Sequence, residues 1–396
     1  MPKIKIVALI FAAFVFAVSA AAAQEGHTAE NDDREKPVTI KPNDPLPNVT
    51  ARSAVVMEAK TGLIVYARDM DLKSYPASTT KMMTLITALD KGNLSDTVRV
   101  GGNAAFAEGS TLWLEEGDKV PLRELLTGMM MVSGNDGAVA VAEHVGGSIK
   151  NFARMMNEKA REIGAEHTHF VNPSGLPDEN HYTTAHDLAL MAAYGLKNDK
   201  FTRITSTKEQ TFPWVKDPSH LLRNENQLLW IYPGANGIKT GYTDAAGRCL
   251  VSSAERGGTE IVAVVLDSLY MWNDSIALLD YGFKNLHSFV YVNRGETCGN
   301  IAVQFGRKKK IPIKTAKEII LPAAGGSWHR EHKEYRREVD LPPMVAAPVK
   351  RGDKIGELRV FLGDKEIDAT SIIAADDVEE KSFFRMVING FKKLLA

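Results

Sequence analysis

Helical and strand-like periodicity are segregated along this chain, and the segregation limits the folds open to it. Apolar residues recur at helical spacing over 78–90, 122–131, 137–144, 149–163 and 184–194. Strand-like runs precede them at 54–57 and 63–66, and follow them at 249–254 and 261–266. Lys60-Thr61-Gly62 between the first two runs reads as a hairpin turn. A last helical pattern covers 275–286. Strands that open and close the region, with helices grouped between them, predict an α+β arrangement, an antiparallel sheet with packed helices. With 396 residues, 44% of them apolar, the chain has material for about two domains and a sizeable core.

Three short words carry chemistry. Ser78-Thr79-Thr80-Lys81 follows Pro76 at the head of a helical run. Proline is tolerated in a first helical turn, where its missing N–H has no partner to lose. Residues three apart share a helix face, so Ser78 and Lys81 can pair as nucleophile and base. A serine hydroxyl needs a base to become nucleophilic, and a lysine serves only if burial or another cation lowers its pKa. Ser133-Gly134-Asn135 lies between two helical patterns and can present a hydroxyl and a carboxamide to a cleft. Lys239-Thr240-Gly241 lies on or beside a strand, with a glycine that lets another backbone approach. A phosphate-binding loop over 234–241 is excluded, because Ile238 separates Gly237 from Lys239.

In this order the three words match the trio of penicillin-interacting serine enzymes. The chain resembles the low-molecular-weight penicillin-binding proteins, serine-type D-Ala-D-Ala carboxypeptidases of the bacterial envelope. The neighbouring words Tyr75-Pro76-Ala77, Phe170-Val171-Asn172-Pro173-Ser174-Gly175-Leu176 and Gly237-Ile238 ahead of Lys239 agree with it. The likeness runs from about residue 50 to the C-terminus. It implies that Ser78 attacks the carbonyl between two D-alanines, that Lys81 is the base, and that Ser133 relays a proton to the leaving amine. Asn135 is implied to hold the substrate's amide backbone, Lys239 to keep the pocket positive, and Thr240 to bond the terminal carboxylate. Gly241 and Tyr242 complete the implied substrate-binding set, with the N–H groups of Ser78 and Tyr242 as oxyanion hole. No metal or cofactor is implied. Relatives often carry an arginine shortly before the last helix of the catalytic domain. Here that neighbourhood reads Leu269-Tyr270-Met271-Trp272-Asn273, and Arg248 is a candidate substitute. A β-lactamase, a DD-endopeptidase of the same superfamily and a non-catalytic envelope scaffold stay open as alternatives.

The ends and the minor residues add boundaries. Lys3 and Lys5, an apolar run from Ile6 to Val18 and small residues to Ala23 describe a cleavable export signal over 1–23. Residues 24–49, with four prolines, read as a linker. The catalytic domain is expected over 50–286. Short β-like runs at 289–292, 311–313, 319–321, around Val349 and at 358–361 predict a small all-β domain over 288–378. Arg307-Lys308-Lys309-Lys310 reads as a solvated hairpin tip. From Phe383 to Leu395 the apolar residues fall on one face of a helix with basic flanks, so 381–396 is expected to lie in a membrane interface. The expected location is therefore the periplasmic face of the inner membrane, held peripherally. Expected partners are a stem peptide ending in D-Ala-D-Ala, β-lactams and the membrane surface. A net charge of −1 gives no basic excess for nucleic acid. Cys249 and Cys298 are expected to be unpaired and buried, and His167 and His169 to be ordinary histidines.

Overall fold

Five strands build the central sheet: β1 (Ser53–Glu58), β2 (Ile64–Arg68) and, much later in the chain, the strands 235–243, 247–256 and 259–268. The computed structural model describes residues 45–324 and 335–381 with 383 and 387, all within one compact unit that spans 37–396. The expected export signal over 1–23, residues 24–44 of the expected linker and most of the terminal amphipathic segment lie outside the described residues.

Between the early and late strands run α1 (Lys81–Lys91), β3 (Thr97–Arg99), α2 (Gly102–Ala105), β4 (Lys119–Pro121), α3 (Leu122–Val132) and α4 (Asn135–Gly146). Next come α5 (Ile149–Ile163), α6 (Ala185–Leu196), α7 (Asp199–Thr205), β5 (Glu209–Thr211), β6 (Leu221–Arg223) and α8 (Leu228–Ile231). The sheet is completed by β7 (Ala235–Thr243), β8 (Gly247–Arg256) and β9 (Thr259–Ser268), and α9 (Met271–Asn285) closes the region. Strand order is β2-β1-β9-β8-β7, every pair antiparallel.

Both faces of this sheet are covered, which explains strands that read as unbroken apolar runs. Val55, Met57, Val251, Val262 and Val264 point into the core beneath the helices. Their neighbours Ala54, Val56, Leu250, Ala263 and Val265 point the opposite way, as the two-residue pleat demands, into a second core with Leu278 and Leu279 of α9. That second core continues into the C-terminal β region, with Val292, Ile313, Leu321, Val360 and Ile372.

The C-terminal region contains β10 (Leu286–Val292), β11 (Thr297–Gln304), β12 (Lys310–Thr315), β13 (Ile319–Ala324), β14 (Arg336–Asp340), β15 (Met344–Ala346), β16 (Lys354–Leu362) and β17 (Lys365–Ala374). β10 pairs with β13, and the others form a six-stranded sheet ordered β14-β16-β17-β12-β11-β15. The α+β and all-β expectations therefore hold.

Several local expectations need correction. Residues 77–80 form a 3-10 turn, and the α-helix starts only at Lys81. Asn135 is the first residue of α4 rather than a loop residue. Val349 makes an isolated bridge with Val378 and no strand. Val49 is buried, and Thr50 donates its N–H to the Asp274 carboxylate, so the folded region reaches into the end of the expected linker. Both cysteines are free, but Cys298 is only half-buried. The basic run at 307–310 needs no correction: it lies exposed at the turn of the antiparallel β11–β12 hairpin, as expected of a solvated tip, with Arg307 paired to Glu379 and Lys308 to Asp376. Among the described residues no helix is long and apolar enough to cross a membrane.

Candidate active site

Pro76 starts the turn that carries Ser78. Thr79 closes it, donating both its hydroxyl, at 2.6 Å, and its N–H, at 3.2 Å, to the Pro76 carbonyl. In a 3-10 turn the side chains at i and i+3 eclipse, so Ser78 and Lys81 are brought closer than on an α-helix. Lys81 Nζ lies within hydrogen-bond distance of Ser78 Oγ, at 3.0 Å.

Lys81 has no exposed surface. Its Nζ donates to Asn135 Oδ1 at 2.6 Å and to the Ser174 carbonyl at 2.8 Å. Burial, and then the charge of Lys239, hold its pKa well below the usual lysine value, while Glu225 and Asp136 push it upward. A neutral amine has two N–H groups and one lone pair. Two oxygens that can only accept take the two N–H groups, and the lone pair is left facing the Ser78 hydroxyl.

Asn135 is clamped so that its oxygen faces Lys81. Its own N–H donates to Ser110 O at 2.7 Å, and its Nδ2 donates to Glu108 O at 2.6 Å. The adjacent Asp136 carboxylate accepts from the N–H groups of Leu112 and Leu114 and from the Thr111 hydroxyl, which ties the 108–114 loop to α4. Ser133 caps α3 in the left-handed region, at φ 64°, and is 3% exposed. A non-glycine residue held there is uncommon.

Lys239, Thr240 and Gly241 lie on β7, opposite Val251, Leu250 and Cys249 of β8. Lys239 is buried, and its Nζ lies 3.1 Å from the Thr240 carbonyl and 3.2 Å from the Thr240 hydroxyl. Burial lowers its pKa to about 8 against the opposing pull of Glu225. A Cβ on Gly241 would lie 3.0 Å from the Ser78 nitrogen, so the missing side chain lets β7 run against the backbone of the Ser78 turn. The Tyr242 ring is exposed, and its hydroxyl donates to Asp244 at 2.9 Å. Arg248 stands opposite Tyr242 in the β7–β8 register, its guanidinium 5.8 Å from the ring centre.

Three segments thus converge. Ser78, Lys81 and Asn135 share one hydrogen-bond chain, Lys239 and Thr240 form a second cluster, and Gly241 packs against the Ser78 turn. Outside the three motifs, the 170–176 stretch that also carries the resemblance borders the site. Ser174 enters through its carbonyl, which any residue type could supply. Gly175, at φ 91°, has no room for a side chain, since a Cβ would fall 1.8 Å from Ala77 O. Thr84 donates to Pro173 O at 2.6 Å, fastening the 170–176 loop to α1. Buried His181 receives the Val171 N–H on Nδ1 and meets Thr80 Oγ1 at 2.9 Å through Nε2, and burial lowers its pKa to about 4. Glu225, between β6 and α8, bonds Thr240 and gave no signal in the sequence.

Comparison with known proteins gives the geometry its relatives. Residues 39–269 match the D-alanyl-D-alanine carboxypeptidase family, and residues 288–380 match the C-terminal domain of penicillin-binding protein 5. The D-alanyl-D-alanine carboxypeptidase DacF of Bacillus subtilis is 35% identical over 342 residues, 84% of this chain and 87% of that protein. DacD of Escherichia coli, of the same activity by name, is 30% identical over 403 residues, covering 97% and 98%. Among solved structures, penicillin-binding protein 5 from Haemophilus influenzae matches with a TM-score of 0.60 and 30% identity, covering 85% of this chain and 100% of that one. A peptidoglycan synthesis regulatory factor (PBP3) from Streptococcus pneumoniae matches with a TM-score of 0.68 and 25% identity, over 84% and 100%.

Proposed function

The chain belongs to the D-alanyl-D-alanine carboxypeptidase family, and from that premise we propose that Ser78 is its nucleophile and Lys81 the base that activates it. The enzyme is a serine-type carboxypeptidase that removes the terminal D-alanine from a peptidoglycan peptide ending in D-Ala-D-Ala, and β-lactams acylate it. The observation that carries the assignment of Ser78 and Lys81 is the 3.0 Å contact between Ser78 Oγ and a wholly buried amine whose other two neighbours are carbonyl oxygens.

The steps follow from that contact. Lys81 takes the hydroxyl proton as Ser78 Oγ bonds to the carbonyl carbon between the two D-alanines. The carbonyl oxygen becomes an anion and is met by the N–H groups of Ser78 and Tyr242, a pair worth roughly 10²–10³ in rate per donor. The C–N bond then breaks, the proton passes through Ser133 to the departing amine, and D-alanine leaves. Water attacks the resulting ester, Lys81 takes a proton from that water and passes it to Ser78 Oγ as the acyl C–O bond breaks, and the shortened peptide leaves as a carboxylic acid with Ser78 and Lys81 restored. Asn135 holds the peptide's amide backbone, while Thr240 and the charged Lys239 hold its terminal carboxylate beside Gly241.

Covalent labelling tests the assignment. A fluorescent penicillin labels the wild type on the peptide that contains Ser78, and Ser78→Ala loses both the label and D-alanine release. Labelling that survives in Ser78→Ala assigns the nucleophile elsewhere. A penicilloyl-enzyme that persists for minutes fits a carboxypeptidase, whereas rapid turnover fits a β-lactamase.

Export to the periplasmic face and peripheral attachment through 381–396 belong to the same proposal. Supporting them are the basic-then-apolar start of the chain and the exposed Phe383 and Val387 of the amphipathic segment. Deleting residues 383–396 is expected to move the protein from the membrane fraction to the supernatant. Sedimentation with membranes that continues after the deletion rules out the tail as the anchor.

A further inference from the structure

A carboxylate already stands where an anionic substrate has to bind. Glu225 Oε2 accepts from Thr240 Oγ1 at 3.2 Å and lies 3.8 Å from Lys239 Nζ. These are the two groups to which the proposed function assigns the terminal carboxylate of the peptide, and the inference rests on that reading. A threonine hydroxyl has one proton to donate and cannot serve two carboxylates at once. Two like charges within a few ångströms also disfavour each other.

The backbone of Glu225 is anchored in the protein, and its side chain is partly open to solvent. Its N–H donates to Met131 O at 2.9 Å, at the end of α3 just ahead of Ser133. The residues on either side are buried asparagines: Asn224 Nδ2 donates to Thr207 O at 2.9 Å, and Asn226 Oδ1 accepts from the Leu228 N–H at 3.1 Å. The Glu225 side chain is 45% exposed, so its carboxylate can turn to solvent without moving the loop.

We propose that Glu225 is a specificity-determining residue: its carboxylate sits on Thr240 and Lys239 in the free enzyme, and the substrate's terminal carboxylate binds by displacing it. Displacement weakens the binding of every ligand with a free carboxylate at this position. A C-terminal amide is neutral and can donate its NH₂ to Glu225, so it escapes most of that penalty. Glu225 therefore narrows the preference for a free acid over an amide.

The test uses the full chain and two acylated peptides, one ending in D-Ala-D-Ala and the other in D-Ala-D-Ala amide. Steady-state kinetics are measured on the wild type, Glu225→Gln and Glu225→Ala. KM for the free acid is expected to fall about tenfold in both variants, equivalent to about 1.4 kcal/mol. The ratio of kcat/KM for acid over amide is expected to rise by a similar factor. An unchanged or raised KM for the free acid in both variants overturns the proposal. So does a loss of kcat/KM that is equal for both peptides, which would make Glu225 a support for β7. If the wild type releases no D-alanine from the free acid, the failure lies in the underlying reading of the site and not in Glu225.

Discussion

Two buried lysines close to one serine must hold opposite charge states for the site to work. Lys81 acts as a base only when neutral, and burial together with Lys239 depresses its pKa, so its active fraction grows as pH rises. Lys239 holds an anion only when charged, and its pKa of about 8 means that this charge is lost as pH rises past that value. The pH profile of kcat/KM is therefore expected to be bell-shaped, with the acid limb set by Lys81 and the basic limb near pH 8 by Lys239. Lys239→Arg keeps its charge to far higher pH, so the basic limb should move up or vanish. A basic limb that stays in place in this variant assigns it to another group. Ser78 and Lys81 were legible because a three-residue spacing survives whether the turn is 3-10 or α. Glu225 was not, because its importance comes from meeting Thr240, 15 positions away in sequence, and Asn-Glu-Asn has no periodicity that announces it.

At the scale of elements, the site depends on how closely β7 approaches the Ser78 turn. A Cβ on Gly241 would lie 3.0 Å from Ser78 N and 3.1 Å from Ala77 Cβ, tighter than ordinary van der Waals contact. Gly241→Ala is expected to displace the Ser78 N–H by a few tenths of an ångström and to slow acylation by penicillin about 10²-fold, the loss typical of one oxyanion donor. Overpacking of this kind costs about 1 kcal/mol or more of stability. Stopped-flow acylation and thermal melting separate the two effects, and a variant that melts like the wild type and acylates at its rate would show that the approach is immaterial. The long helices and central strands were legible from their periodicity. The paired three-residue strands β3–β4 and β5–β6 were not, being too short for any repeat to develop. β14 also escaped notice, because as an edge strand in which Arg336, Arg337, Glu338 and Asp340 are all exposed or nearly so it carries no apolar alternation.

Across the whole molecule, the sequence suggested a change of texture near residue 286, whereas the packing shows a shared core. The apolar cluster on the outer face of the central sheet passes through α9 to residues of β12, β16 and β17, so both sheets bury surface in one continuous interior. Polar ties reinforce this at the hairpin between β1 and β2. Lys60 Nζ donates to Ile320 O on β13 at 2.8 Å and to Asp368 on β17 at 2.5 Å, with the two ionic side chains 30% and 19% exposed. Lys317 also reaches Asp368, at 3.5 Å, and the Ala369 N–H donates to it at 2.8 Å, so removing Lys60 does not strand the carboxylate. The pair is less screened than a surface salt bridge, for which about 0.2–1 kcal/mol is usual, and it holds a backbone carbonyl as well. Lys60→Met keeps most of the apolar stem and removes both ties. It is expected to cost about 1 kcal/mol, which for a protein of this size lowers the melting temperature by about 2 °C. Lys60 touches none of the residues around Ser78, so the rate of penicillin acylation should stay at the wild-type value. An unchanged melting temperature would mean that the shared apolar core alone joins the two sheets, whereas a fall in acylation rate would mean that the β region communicates with the catalytic serine through this hairpin.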